Sequence, residues 1–87
     1  MNIKHAQYML TVMQEGSITA AAKKLYISQP SLSQMIKLVE TNLGTAIFNR
    51  STDPITLTYA GEKYIEAAKQ ILTINNNLQK EIDEINH

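Results

Sequence analysis

The sequence has no cysteine, which excludes disulfide scaffolds, cysteine-based zinc fingers and thiol nucleophiles and suits a reducing compartment. Chain breakers are scarce: three glycines and two prolines among 87 residues describe a helix-leaning chain, since disordered segments are richer in breakers and poorer in apolar residues. No apolar run approaches the ~20 residues that span a bilayer, and Met1-Asn2-Ile3-Lys4-His5 has no apolar signal core. A cytoplasmic location with no membrane partner is expected. Charge of one sign is lacking as well, because eight Lys and Arg balance eight Asp and Glu.

That balance argues at first against a nucleic-acid binder, whose basic patches supply most non-specific affinity for phosphate. The distribution is less even. Residues 1–58 hold Lys4, Lys23, Lys24, Lys37 and Arg50 against Glu15, Glu40 and Asp53, a net +2. Residues 59–87 hold Lys63, Lys69 and Lys80 against Glu62, Glu66, Glu81, Asp83 and Glu84, a net −2. Catalytic chemistry has little to work with. His5 and His87 have no companion ligands for a metal, Thr19, Ser31 and Ser33 have no adjacent base, and no glycine-rich phosphate loop is present. Neither an enzyme nor a bound metal or cofactor is expected.

What the chain does have is an apolar fraction of 44% arranged at helical spacing. Ile3, Ala6, Met9 or Leu10, and Met13 predict a first helix ending at Glu15-Gly16, with Gly16 able to adopt a left-handed cap. Ser17 can cap a second helix, in which Ile18, Ala21, Ala22 and Leu25 share a face. Ser28 can cap a third, with Pro30 tolerated in its first turn; Leu32, Ile36, Val39 and Leu43 repeat along one side, and Gly44 ends the run. Ile47–Arg50 and Ile55–Leu57 are β-prone runs flanking the turn-rich Ser51-Thr52-Asp53-Pro54, which predicts a hairpin, or wing.

The polar side of the third helix carries Gln29, Ser31, Ser33, Gln34 and Lys37 near its N-terminus, and the preceding turn is very short. That pair of helices reads as a helix-turn-helix. A recognition helix places its N-terminal residues against base edges in the major groove, where Gln pairs bidentately with adenine and Ser serves several bases. Gln29, Ser33 and Gln34 are the expected base contacts, with Pro30 and Ser31 close against the groove. Lys4, Ser17, Thr19, Lys37 and Arg50 are the expected backbone contacts. The plain alternatives are a solvated polar face for the third helix and an exposed surface cation for Arg50.

The residues Glu15-Gly16-Ser17-Ile18-Thr19-Ala20-Ala21-Ala22, Leu25 and Ile27-Ser28-Gln29-Pro30-Ser31-Leu32-Ser33 resemble the signature of LysR-type transcriptional regulators. The resemblance continues through Ile36, Val39-Glu40, Leu43-Gly44, Phe48-Asn49-Arg50 and Leu57-Thr58-Tyr59-Ala60-Gly61, and so covers essentially the whole chain. It implies that the Ser-Gln-Pro segment opens the recognition helix. It also implies that a long linker helix pairs antiparallel in a dimer, and that a further domain, absent from these 87 residues, senses a small-molecule inducer. Many members carry Arg where this chain has Gln34, and basic wing residues where it has Thr52 and Asp53. Those departures bear on affinity and on base preference, since Gln favours adenine and Arg guanine.

From Thr58 onward runs the longest helical pattern. Placing Tyr64, Ile71, Leu78 and Ile85 at d and Ala68, Asn75 and Ile82 at a gives a seam suited to pairing with a second chain. Ile65, Leu72 and Ile74 widen the stripe, so packing on the chain's own core is the alternative for part of it. Thr58 to His87 would be roughly 44 Å long, more than a domain this small can cover. Asn75 either fixes register or marks a frayed stretch.

The expected architecture is all-α with a small β-hairpin: a winged helix-turn-helix over residues 1–58 followed by a dimerisation, or linker, helix over 59–87. The expected function is sequence-specific binding of double-stranded DNA, at an interrupted palindrome, by a homodimer paired through the C-terminal helix. Helix 28–43 would enter the major groove and wing 47–57 would lie near the backbone. The competing reading is a winged-helix module that has lost DNA binding and recruits a protein.

Overall fold

A computed structural model describes Met1–His87 in full. Three helices come first, α1 (Ile3–Glu15), α2 (Ile18–Leu25) and α3 (Gln29–Leu43); a two-stranded antiparallel hairpin follows, β1 (Phe48–Asn49) with β2 (Thr56–Leu57), and then α4 (Tyr59–Ile85). The register pairs Phe48 with Leu57 and Asn49 with Thr56. The fold class is therefore the expected winged helix-turn-helix carried on a long helix.

Each helix begins and ends on a local chemical device. The side chains of Asn2, Ser17, Ser28 and Thr58 accept from the N–H groups of His5, Ala20, Ser31 and Gly61, respectively, satisfying donors that the first helical turn leaves unpaired. Gly16 (φ 68°) and Gly44 (φ 75°) close α1 and α3 in the left-handed conformation. Tyr26 closes α2 in the same conformation (φ 58°) despite its Cβ, and its side chain stands 95% exposed.

Ala6, Met9 and Val12 of α1, Ala21 and Ala22 of α2, Leu32, Ile36 and Val39 of α3, Ile47 and Phe48 of the hairpin, and Tyr64, Ile65 and Ala68 of α4 form one buried core. That core runs unbroken across residues 58 and 59, so the first half of α4 is part of the domain it follows. Gly61 explains how closely α4 approaches: a Cβ there would run into the main-chain carbonyl oxygen of Ile47. The molecule measures 48 × 26 × 21 Å, and its long dimension reflects the 27 residues of α4, about 40 Å of helix.

The hairpin is shorter than the β-prone runs suggested, because its flanking N–H groups bond elsewhere. Ile47 N–H donates to the Glu40 carboxylate at 2.7 Å, and Ile55 N–H donates to the Gly16 carbonyl at 2.9 Å. Pro54 packs directly over Gly16, where a Cβ would lie 2.7 Å from the proline Cβ. The wing is thus pinned to the α1–α2 turn on one side and to α3 on the other.

The pairing seam needs correction in its first part. Tyr64 (8% exposed) and Ala68 (0%) lie in the chain's own core, where neither is available to a second chain, and Ile71 is half-buried. Asn75, Leu78, Ile82 and Ile85 are exposed. The reason is that a helix crossing its own domain shows the same apolar period as one crossing a partner.

Candidate nucleic-acid interface

Leu32, Ile36 and Val39 bury the inner face of α3 and so fix what its outer face presents. Ser28, Gln29, Pro30, Ser31, Gln34 and Lys37 are exposed, and Ser33 is half-buried beside them. Every sequence-predicted base contact therefore lies at the N-terminal end of one helix, on its free side.

Hydrogen bonds order part of this surface. The Ser28 hydroxyl accepts from Ser31 N–H at 3.2 Å and donates to the Ser31 hydroxyl at 2.7 Å, so the cap also holds the Ser31 side chain. The Gln29 amide nitrogen donates to the Ser33 hydroxyl one turn later, at 3.0 Å. That bond spends one of the two Gln29 N–H donors and leaves a donor and the carbonyl oxygen for an adenine edge. No charged side chain stands in the first two turns of α3; Lys37 is its first cation.

The expected backbone contacts are more scattered. Ser17 is half-buried and spends its hydroxyl oxygen on the Ala20 N–H, at 3.1 Å, while Thr19 is exposed in the first turn of α2. Lys4 is exposed on α1, with its ammonium 5.6 Å from the Tyr8 ring centroid. Arg50 is not a lone surface cation. Its Nη2 donates to Glu40 Oε1 at 3.3 Å, and Lys24 similarly pairs with Glu15 at 3.4 Å. Among the five cations of residues 1–58, Lys4, Lys23 and Lys37 are outside any ion pair.

The wing tip satisfies itself. Asn49 Oδ1 accepts from the Ser51 N–H and hydroxyl, and the Thr52 hydroxyl reaches both Asn49 O and the Thr56 hydroxyl. Asp53 is exposed there.

Glu40 is the residue that sequence reasoning missed. Its Oε2 accepts from Ile47 N–H at 2.7 Å and Phe48 N–H at 3.3 Å while Oε1 holds Arg50, tying the end of α3 to the wing. One signal was present: an acid in the last turn of a helix opposes the helix dipole and needs donors from outside the helix. Two negative observations complete the surface. No three His, Asp or Glu side chains cluster as a metal site, and no helix is long and apolar enough to cross a membrane.

Residues 3–62 match the description "Bacterial regulatory helix-turn-helix protein, lysR family". The chain is 42% identical over 84 residues to the uncharacterized HTH-type transcriptional regulator YcgK of Bacillus subtilis (strain 168), a match covering 97% of this chain and 26% of that protein. It thus spans about a quarter of that relative's length. Among solved structures, the DNA-binding domain of BenM in complex with catB site 1 DNA is similar at a TM-score of 0.92 and 32% identity, covering 98% of this chain and 96% of that one. The CbnR DNA-binding domain in its DNA complex is similar at a TM-score of 0.88 and 30% identity, covering 100% of both chains.

Proposed function

The chain belongs to the lysR family of bacterial regulatory helix-turn-helix proteins, and from that premise we infer that it is the sequence-specific DNA-binding part of a transcription regulator. The observation that carries this reading is the outer face of α3. Gln29, Ser33 and Gln34, with Pro30 and Ser31, form a neutral hydrogen-bonding surface at the helix N-terminus, on a backbone that matches domains solved with DNA. α3 enters the major groove, those residues meet base edges, and Lys4, Ser17, Thr19, Lys37 and Arg50 hold the phosphates.

Two copies bind together, each reading one half of an interrupted palindrome. Support comes from Ile74 (69% exposed), Leu78 (55%), Ile82 (42%) and Ile85 (77%), which leave apolar area on α4 uncovered by the chain itself. The partner is double-stranded DNA in the cytoplasm, and the role is binding, not catalysis. A small-molecule inducer, sensed by a domain outside these residues, belongs to the same reading and rests on family membership alone.

Selection from a random duplex library at low salt tests the reading. Enrichment of an interrupted palindrome, with affinity falling steeply as salt rises, is expected because phosphate contacts release counterions. The zero net charge favours the competing module that contacts protein instead, and failure to enrich any sequence, even with two copies covalently linked, would establish that alternative. With the selected site in hand, Gln34→Ala is expected to lose about 1–3 kcal/mol of discrimination at one base pair. An equal loss on all sequences would demote Gln34 to a backbone contact.

A further inference from the structure

Glu40 gathers donors from both its own helix end and the wing. Its main-chain carbonyl accepts from Gly44 N–H (2.9 Å) and Thr45 N–H (3.2 Å), closing α3. Its carboxylate accepts from Ile47 N–H, Phe48 N–H and the Arg50 guanidinium. Ile47 and Phe48 are buried, so their N–H groups are costly to leave unpaired. The Glu40 side chain is itself only 18% exposed, which strengthens its interactions relative to a surface ion pair. A single carboxylate therefore ties the start of the wing to the recognition helix.

Arg50 is held differently. It gives one guanidinium nitrogen to Glu40 and keeps its side chain 44% exposed. A guanidinium carries five N–H donors in a rigid planar fork, so a group that holds one edge of the fork sets the plane in which the others meet an anion. Arg50 is the chain's single arginine.

Resting on the DNA-binding reading above, we propose that Glu40 is a positioning residue for DNA binding: its carboxylate, anchored by the Ile47 and Phe48 N–H groups, presents the Arg50 guanidinium to a backbone phosphate. The sign of one substitution distinguishes this from simple electrostatics. Glu40→Gln keeps an oxygen for the Ile47 N–H but removes a negative charge. An acid that merely sits near DNA would repel phosphate, and its neutralisation would tighten binding. A residue that aims Arg50 must weaken binding when neutralised, against that trend.

The probe is random-sequence duplex DNA, titrated with the 87-residue chain at several salt concentrations. Arg50→Ala is expected to lower the slope of log affinity against log salt by about 0.9, the share of one phosphate contact. Glu40→Gln is expected to weaken binding by roughly threefold to tenfold, the scale of one charge-assisted bond, and to have no further effect once Arg50→Ala is present. A merely structural role would weaken binding to the same extent with or without Arg50. Arg50→Lys, which leaves Glu40 untouched, keeps the charge and loses the fork; it is expected to bind more weakly at an unchanged salt slope. Glu40→Gln binding as tightly as the unaltered chain or tighter, losses that simply add, or full affinity in Arg50→Lys would each overturn the proposal. An unaltered chain with no salt-dependent binding would overturn the DNA-binding reading itself, which is a different failure.

Discussion

The two halves of α4 share one apolar period and have opposite fates. In the first half Gly61, Tyr64, Ile65 and Ala68 are buried against the chain's own core; in the second, from Thr73 to Ile85, every residue is exposed. The first half is rich in small residues where it meets the domain: Gly61 lets the helix press on the Ile47 carbonyl, and Ala68 is fully buried. The second half instead presents Ile74, Leu78, Ile82 and Ile85, large side chains with nothing of this chain over them. Periodicity says that a helix face wants covering and not what covers it: Gly61 and Ala68 let Tyr64 and Ile65 settle on the chain's own core, whereas the large residues of the second half have no such small neighbours to bring a backbone close.

The comparison breaks most sharply at Gly61. A methyl group there collides with main chain, which cannot swing aside as a side-chain end can, and the Ile47 carbonyl concerned also accepts the Thr58 N–H at 3.0 Å. Gly61→Ala gains up to about 1 kcal/mol of helix propensity, but overpacking costs about 1–3 kcal/mol and more where backbone must shift. A net loss of about 2 kcal/mol is expected, lowering Tm by roughly 8–16 °C in a domain of this size. An unchanged Tm would mean that the hairpin yields freely, and that the first half of α4 is not the fixed partner described above.

At Leu78 the same comparison predicts the reverse pattern. Leu78→Asp places a charge on the exposed strip and is expected to change the stability of the isolated fold by no more than about 0.5 kcal/mol, because the side chain touches no core. Its effect should fall on assembly, since a charge buried without a partner at a helix pair is strongly disfavoured. Sedimentation is expected to show a dimer for the unaltered chain and a monomer for the variant. A dimer that persists would place the pairing surface elsewhere.

Much of this was legible in the sequence, and what was not has local reasons. The caps at Ser17, Ser28 and Thr58 and the glycines at 16 and 44 announced four helices, since each places a known hydrogen-bonding or conformational device at a boundary. The outer face of α3 followed once its buried face was known. Glu40 was lost because its partners lie seven to ten residues away at no regular period, so in a charge count it read only as an acid opposing DNA binding. The short strands were lost because the N–H groups flanking them go to a side chain and to a turn, which pattern alone cannot assign. Tyr64 and Ala68 were placed in the pairing seam because a heptad records spacing without saying whose chain fills it; the spacing of Gly61 and Ala68, one heptad apart, was the available clue to a close intrachain approach.

A stability effect smaller than that at Gly61 is expected at Tyr64, and it is specific to the buried half of α4. Tyr64 is 8% exposed and its hydroxyl has no hydrogen-bond partner within the protein, so the fold carries the cost of a desolvated polar group. Tyr64→Phe removes that group with little change of shape and is expected to stabilise by about 1 kcal/mol at neutral pH. Burial also raises the phenol's pKa above its ordinary 10.0, because the folded state disfavours the phenolate. As pH rises past 10, the unfolded chain releases this proton while the folded chain retains it, so the unfolded state binds fewer protons and stability falls until the raised folded value is passed. The unaltered chain should therefore lose stability through that alkaline window, and the advantage of Tyr64→Phe should widen there. Equal alkaline losses in the two proteins would mean that Tyr64 ionises as freely in the fold as outside it, and that this turn of α4 is more open to water than its place in the core requires.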